Sequence, residues 1–291
     1  LNTYSGLTKK KRDNGHLLIM RLSAMGDVAM TVPVVAALRH AYPELRISIL
    51  TRTGFRPFFR AVPDLEFVDF DPNGRHKGFF GLARLAGELR ACGIDTIADL
   101  HDVLRTKVVR TLARLGGTRV AVIDKGRAEK REMTRRSGKR LVPLAPMTER
   151  YRHTIRRLGF DFDMPREPQK AMCAVPLPVA ETVGPKTDLW VGIAPFAKHR
   201  GKIYPIPLTD ELIGLLNETY GRVFIFGGGE HEKSFAEGME KRHPGVVSVI
   251  GRMSMSQEMD LISNLDAIVT MDSATMHIAS LLGVPVVSVW G

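Results

Sequence analysis

Short apolar runs rich in Val, Ile and Leu recur along the chain, separated by longer stretches whose apolar positions fall at helical spacing. Such alternation points to βα units around parallel sheets. In the first half, His16–Leu22, Arg46–Thr51, Phe67–Phe70, Thr96–Leu100 and Arg119–Ile123 read as strands. Val28–Ala41, Phe79–Cys92 and Val103–Leu115 read as the helices between them, the first closed by Pro43 and the last by Gly116-Gly117. The second half repeats the logic. Leu189–Ala194, Arg222–Phe226, Val246–Ile250, Ala267–Met271 and Val286–Val289 read as strands, with helices over Leu208–Tyr220, Glu230–Arg242, Ser256–Leu265 and Ala274–Leu282. Pro165–Lys186 carries several prolines and little periodicity, and reads as a linker region. The expected architecture is α/β, with two Rossmann-like doubly wound domains facing across a cleft. The expected divisions are a flexible N-terminal segment over 1–15, a first domain over 16–164, the linker over 165–186 and a second domain over 187–291.

Composition narrows the class. A chain of 291 residues is longer than one hydrophobic core usually supports, which agrees with two domains. Its 44% hydrophobic and 25% charged residues exclude a disordered or fibrous chain. Two cysteines, Cys92 and Cys173, exclude a disulfide-stapled scaffold and fit a reducing cytosol. A basic cluster, Lys9 to Arg12, precedes the apolar Leu17–Met20, but Arg21 ends that run too early for a secretory leader. No run approaches the ~20 apolar residues of a spanning helix. A cytoplasmic protein is therefore expected.

Charge adds a question. Lys+Arg number 42 against 31 Asp+Glu, a net +11, which admits nucleic acid, a membrane surface or an anionic substrate. Aromatics are only 7%, and no nucleic-acid recognition motif or stacking set is evident.

Chemistry concentrates in the loops after strands, where open parallel sheets bind ligands. The first is Arg21-Leu-Ser23-Ala-Met-Gly26-Asp27-Val, a small-residue turn that brings backbone amides and a helix start to an anion. Asp27 there is either a carboxylate stabilised by the helix dipole or a general base. The loop is neither a dinucleotide fingerprint nor a Walker motif. The second loop, Thr270-Met-Asp272-Ser273-Ala274-Thr275-Met-His277, offers hydroxyls and free amides at a helix start, suited to a diphosphate. Asp272 either orients a sugar hydroxyl or caps the helix. His277, one turn in, either faces the ligand or is structural. Lys198 and Lys202 follow the first strand of the second half and would meet phosphates as point charges, or are solvated surface. Gly227 and Gly228, in Phe226-Gly-Gly-Gly-Glu-His-Glu232, let backbone approach a ligand closely or form a flexible turn. No Asp-x-Asp pair or His/Cys cluster with ligand spacing stands out, so no metal is expected.

Together these loops resemble glycosyltransferase family 9, the ADP-heptose:lipopolysaccharide heptosyltransferases, from about His16 to Gly291. The most specific matches are Arg21–Val28 and Val269–Pro285, with Asp99-Leu-His101-Asp-Val-Leu-Arg105 and Phe226–Glu232 in support. The resemblance implies a GT-B fold, with the acceptor on the N-terminal domain and the nucleotide sugar on the C-terminal one. It implies Asp27 as catalytic base, Lys202 as the phosphate-binding lysine with Lys198 as fallback, and Asp272, Ser273, Ala274 and Thr275 as the donor-binding turn beside His277. Glu232 and Met253 fall where the family contacts the nucleoside. Many members have Asp-Ser-Gly-Pro-Met-His or Asp-Thr-Gly where this chain has Asp272-Ser-Ala274-Thr-Met-His277. The family also continues beyond a point equivalent to Gly291, so a truncated C-terminal domain is expected.

The reaction implied is inverting and metal-independent. An acceptor hydroxyl loses its proton to Asp27 and attacks the anomeric carbon opposite the leaving ADP. No cofactor is implied beyond the nucleotide-sugar donor. The acceptor implied is an anionic glycolipid bearing Kdo carboxylates and lipid A phosphates. Its expected contacts are His101 and Arg105, with Lys125, Arg127, Arg135 and Arg136 of the basic run Lys125–Arg140, which otherwise reads as a solvated loop. Peripheral contact with the inner membrane follows from such an acceptor. Another nucleotide sugar, a catalytically silent homologue and a basic nucleic-acid binder remain the alternatives.

Overall fold

A computed structural model of the chain describes residues 15–139, 141–164 and 174–290. The N-terminal segment, apart from Gly15, lies outside the described residues, as do Arg140 of the basic run, Cys173 and positions 165–173 of the linker region. The chain forms two compact units. Of the described residues, the first comprises those up to Leu22, Pro33–Thr53 and those from Ala61 to Met164; the second comprises Ser23–Val32, Gly54–Arg60 and those from position 174 onward.

Five parallel strands build the first unit: β1 (His16–Met20), β2 (Arg46–Thr51), β3 (Leu65–Asp69), β4 (Thr96–Asp99) and β5 (Arg119–Val122), in the order β3-β2-β1-β4-β5. Leu17 pairs with Ile47 on one side and Thr96 on the other. All five residues of β1 are buried, as a central parallel strand covered on both faces requires.

The single helix expected over Val28–Ala41 is instead two, α1 (Met25–Ala29) and α2 (Val32–Ala41). Pro33 has no N–H to donate to Ala29, so the ladder stops there. Thr31 Oγ1 donates to the Val28 carbonyl at 2.6 Å and closes the end. α1 belongs to the second unit; besides α2, the first carries α3 (Gly78–Ala91), α4 (Leu104–Leu115), α5 (Arg127–Met133) and α6 (Met147–Arg156). Leu82, Leu85 and Leu89 of α3 form one buried stripe, packed with Leu18, Met20 and Ile97 of the sheet.

In the second unit, α7 (Leu177–Val183), inside the expected linker region, buries Val179 and Val183. It precedes β6 (Trp190–Ala194), α8 (Ile206–Tyr220), β7 (Arg222–Ile225), α9 (Glu230–Arg242) and β8 (Val246–Ser248). Then come α10 (Met255–Ser263), β9 (Ala267–Met271), α11 (Ala274–Leu281) and β10 (Val286–Val289). The parallel sheet runs β10-β9-β6-β7-β8. Both sheets thus share one doubly wound order, in which the first strand is central and the direction of winding reverses beside it. The switch points lie between β1 and β4 and between β6 and β9. The fold is the α/β, twice Rossmann-like class expected.

Candidate active site

β6 and β9 are hydrogen-bonded neighbours with Ala194 opposite Thr270, so the loops leaving their carboxyl ends emerge side by side. The loop after β6 ends in a 3-10 turn, Arg200–Lys202. The loop after β9 is short: Asp272 leads to Ser273, the N-cap of α11. Ser273 Oγ and Thr270 Oγ1 lie 3.2 Å apart, which holds the turn at its base. Lys202 donates to Asp272 Oδ2, joining the two loops by an ion pair with Lys202 41% and Asp272 21% exposed.

A cavity of about 710 Å³ opens here, within the size range of small-molecule sites. Lys198, Lys202, Asp272, Ser273, Ala274, Thr275 and His277 line it from these loops. Gly227, Gly228 and Glu232 line it from the loop after β7. Glu232 Oε2 accepts from the Gly228 N–H at 2.6 Å, and a Cβ at Gly227 would lie 2.7 Å from the same oxygen, so this turn is built around the glutamate. Gly26 and Asp27 of α1 complete the wall. Asp27 Oδ2 accepts from the Ala24 N–H at 3.2 Å. Ser23 and Met253, assigned to the donor from sequence, are not among the residues that line the cavity.

His277 has its imidazole pKa lowered. Burial is the main cause; Asp272 and Asp27 oppose the shift and Lys202 adds to it. It is a neutral ring at pH 7, able to donate from one nitrogen and accept at the other.

Sequence reasoning missed three lining residues on α10: Met255, Glu258 and Ile262. Their spacing puts them on one helical face. The available signal was a glutamate on an otherwise apolar stripe. Burial pushes the Glu258 carboxyl up to about 7.

The expected acceptor residues lie in the first unit. Asp99 is fully buried; its Oδ1 accepts from the backbone N–H of His101 at 3.0 Å and of Asp102 at 2.9 Å, and its Oδ2 from Arg110 at 2.6 Å. Asp102 also accepts from Arg110 at 3.0 Å and Arg127 at 3.3 Å, and Lys125 donates to its carbonyl at 3.2 Å. Burial pushes the Asp102 carboxyl up, but the Arg110 hydrogen bond and the nearby charges of Arg110, Lys107 and Lys125 outweigh it and hold the pKa below the usual range. Burial, reinforced by Arg127 and Arg21, lowers the Lys125 ammonium against the pull of Asp102. Lys125 and Arg127 are thus tied to an ionic network around the buried Asp99, with Arg127 at its exposed rim. Arg127 also begins α5, so part of the basic run is helical. Arg135 and Arg136 are exposed and have no ion pair among the described residues. Arg105 is exposed and, with Arg52, lines a separate cavity of about 300 Å³. No group of three or more His, Cys, Asp or Glu placed to hold a metal occurs among the described residues.

A cavity beside a topological switch point, with lysines and a helix N-terminus on its wall, is the architecture of nucleotide-binding α/β proteins. The chain belongs to glycosyltransferase family 9 (heptosyltransferase), whose model matches residues 82–291. It is a glycosyltransferase. Lipopolysaccharide heptosyltransferase 3 of Escherichia coli is 24% identical to it over 91% of this chain and 80% of that protein. Among solved structures, the family 9 glycosyltransferase of Veillonella parvula superposes with a TM-score of 0.73 at 19% identity, covering 95% of this chain and 81% of that one. ADP-heptose lps heptosyltransferase II of E. coli gives 0.69 at 20% identity, over 95% and 85%. E. coli heptosyltransferase WaaC, solved with ADP-2-deoxy-2-fluoro heptose, gives 0.69 at 19%, over 95% and 89%. The fold is therefore the GT-B type of these enzymes.

Proposed function

We propose that the protein transfers a heptose from ADP-heptose to the inner core of lipopolysaccharide, a Kdo–lipid A type acceptor, with inversion at the anomeric carbon. The observation that carries this reading is the single cavity that gathers Asp27, Lys202, Asp272, His277 and the N-terminus of α11. The names of the relatives support donor and acceptor class.

Asp27 is the general base. It takes the proton of the acceptor hydroxyl as that oxygen attacks, and the C–O bond to ADP breaks on the opposite face. Charge develops on the leaving diphosphate. Lys202 and the backbone amides of 273–276 receive it with charge-assisted hydrogen bonds, so no metal is required in the step. Asp272, held by Lys202, is placed to accept from sugar hydroxyls. Glu232 and the glycine turn hold the nucleoside. Arg105, Arg135 and Arg136 attract the anionic acceptor, and contact with the membrane carrying it is peripheral. Among the described residues, no helix is long and apolar enough to cross a membrane.

The test is a transfer assay with ADP-heptose, other nucleotide sugars and truncated lipopolysaccharide acceptors, with products identified by mass spectrometry. An acceptor mass increased by one heptose from ADP-heptose supports the reading; transfer from a different nucleotide sugar alone overturns it.

A further inference from the structure

Glu258 lines the cavity and has no task in the proposed reaction. It lies on α10 between Met255 and Ile262, three residues after one and four before the other, and all three line the cavity. Its carboxyl has no hydrogen-bond or ion-pair partner among the described residues. Other carboxylates of the cavity are engaged: Asp272 by Lys202, Glu232 by the Gly228 N–H, and Asp27 by the Ala24 N–H. The residue is half-buried, so its unpaired carboxyl on the cavity wall is only partly hydrated and gains from a ligand that completes its hydrogen bonds.

The flanking side chains narrow the ligand. Met255 and Ile262 offer a thioether and an aliphatic surface, which suit the face of a flat heterocycle and not a diphosphate or a polyhydroxylated sugar. A carboxyl set between them meets the edge of that heterocycle. We infer that Glu258 reads the base of the donor nucleotide, its acid O–H donating to adenine N1 while its carbonyl oxygen accepts from the exocyclic amino group. This rests on the ADP-donor reading above.

The protonated state follows from the surroundings. Burial alone raises the carboxyl to about 7. From the packed elements, α11 presents His277, held neutral, and α7 carries Glu181, which is exposed. On α10 itself, Asp260 is paired with Arg60 at 2.5 Å. Asp27, Glu232, Asp272, Lys198 and Lys202 are the other charged groups of the cavity. A neutral acid presents one donor and one acceptor side by side, the complement of adenine's edge. An ionised carboxylate presents acceptors only and matches guanine, whose N1–H and amino group both donate.

The test is calorimetric titration of the full chain with ADP and GDP at pH 6 and pH 8, comparing wild type, Glu258→Gln and Glu258→Leu. Pyrophosphate competition reports the diphosphate contacts separately. Glutamine keeps a donor and an acceptor at every pH, and ionisation of the ADP phosphate affects both proteins alike. The ratio of wild-type to glutamine-variant affinity for ADP should therefore fall about tenfold from pH 6 to pH 8. The leucine variant should bind pyrophosphate as wild type does and lose about tenfold in its preference for ADP over GDP at pH 6. An unchanged ADP preference in the leucine variant, or a pH-independent ratio for glutamine, overturns the role of Glu258 and leaves the donor reading standing. A wild-type protein that binds pyrophosphate but not ADP overturns the donor reading and this inference with it.

Discussion

Gly26 lies so close to His277 that a Cβ at position 26 would sit 2.5 Å from the imidazole Cδ2. The missing side chain lets α1, which carries Asp27, pack directly on α11, which follows the donor turn. Glycine is required here for close approach, since only its lack of bulk admits the ring. Gly26→Ala should push His277 out of place and destabilise the protein by about 1–3 kcal/mol, the usual cost of overpacking. Urea unfolding followed by circular dichroism measures this, and an unchanged midpoint would show that the ring moves freely.

Asp27→Asn preserves shape and the acceptor for the Ala24 N–H but cannot take a proton. Turnover should fall by about two to four orders of magnitude while ADP affinity stays within about twofold. Steady-state kinetics and calorimetry on the same preparation separate the two. Wild-type turnover would remove the base assignment.

Lys202→Ala removes a phosphate ligand and leaves Asp272 without its partner beside the diphosphate. ADP binding should weaken at least about tenfold, from the lost charge-assisted bond and the exposed repulsion together. Adding Asp272→Asn should restore part of that loss, a coupling that a double-mutant cycle reads directly. Unchanged affinity would move the phosphate role to Lys198 or to backbone amides.

Arg135→Glu with Arg136→Glu reverses charge at two exposed sites outside the Asp102 network. KM for a lipopolysaccharide acceptor should rise several-fold at low salt, and less at high salt, with ADP affinity unaffected. Equal KM at both ionic strengths would remove these residues from acceptor capture.

Glu258→Leu tests a stability consequence of the half-buried acid. The carboxyl titrates near 4.5 when exposed and at about 7 in the fold. Between those values the unfolded chain ionises first, so stability is lost as pH rises from 4.5 to 7, and the deficit then stays constant. At pH 8 it amounts to no more than about 3 kcal/mol. Glu258→Leu should therefore raise Tm at pH 8 relative to wild type, with the gain shrinking as pH falls toward 5. A pH-independent difference would mean that the leucine acts through packing alone.

Much of this was readable from residue pattern, for a physical reason. Inner strands of a doubly wound sheet are covered on both faces and appear as largely apolar runs; Arg46–Thr51 and Ala267–Met271 form over the expected residues, as does the edge strand Val286–Val289. The helix α6 escaped notice because Tyr151 and Ile155, both fully buried, stand almost alone among Arg and His side chains. The break at Met30-Thr31 was hidden by continuous apolar periodicity, although Pro33 already forbade the hydrogen bond. The loops lining the cavity were legible because phosphate chemistry demands small residues, hydroxyls and lysine. Glu258 was not, since periodicity shows that a stripe is buried without showing whether protein or ligand covers it. Nor did the spacing of Lys125 and Arg127 reveal that Asp102, at a left-handed φ of 46°, draws both into a network.

The strand orders also govern how the protein is made. In each sheet the strand synthesised first is the central one, so a strand whose five residues all become buried leaves the ribosome before either neighbour that will cover its edges. β1 gains β2 within about one helix's length, but its other edge stays unpaired until Thr96–Asp99 is translated. Through that interval Leu17, Leu18 and Ile19 are a bare apolar ribbon, a natural site for chaperone capture and for misassociation between nascent chains.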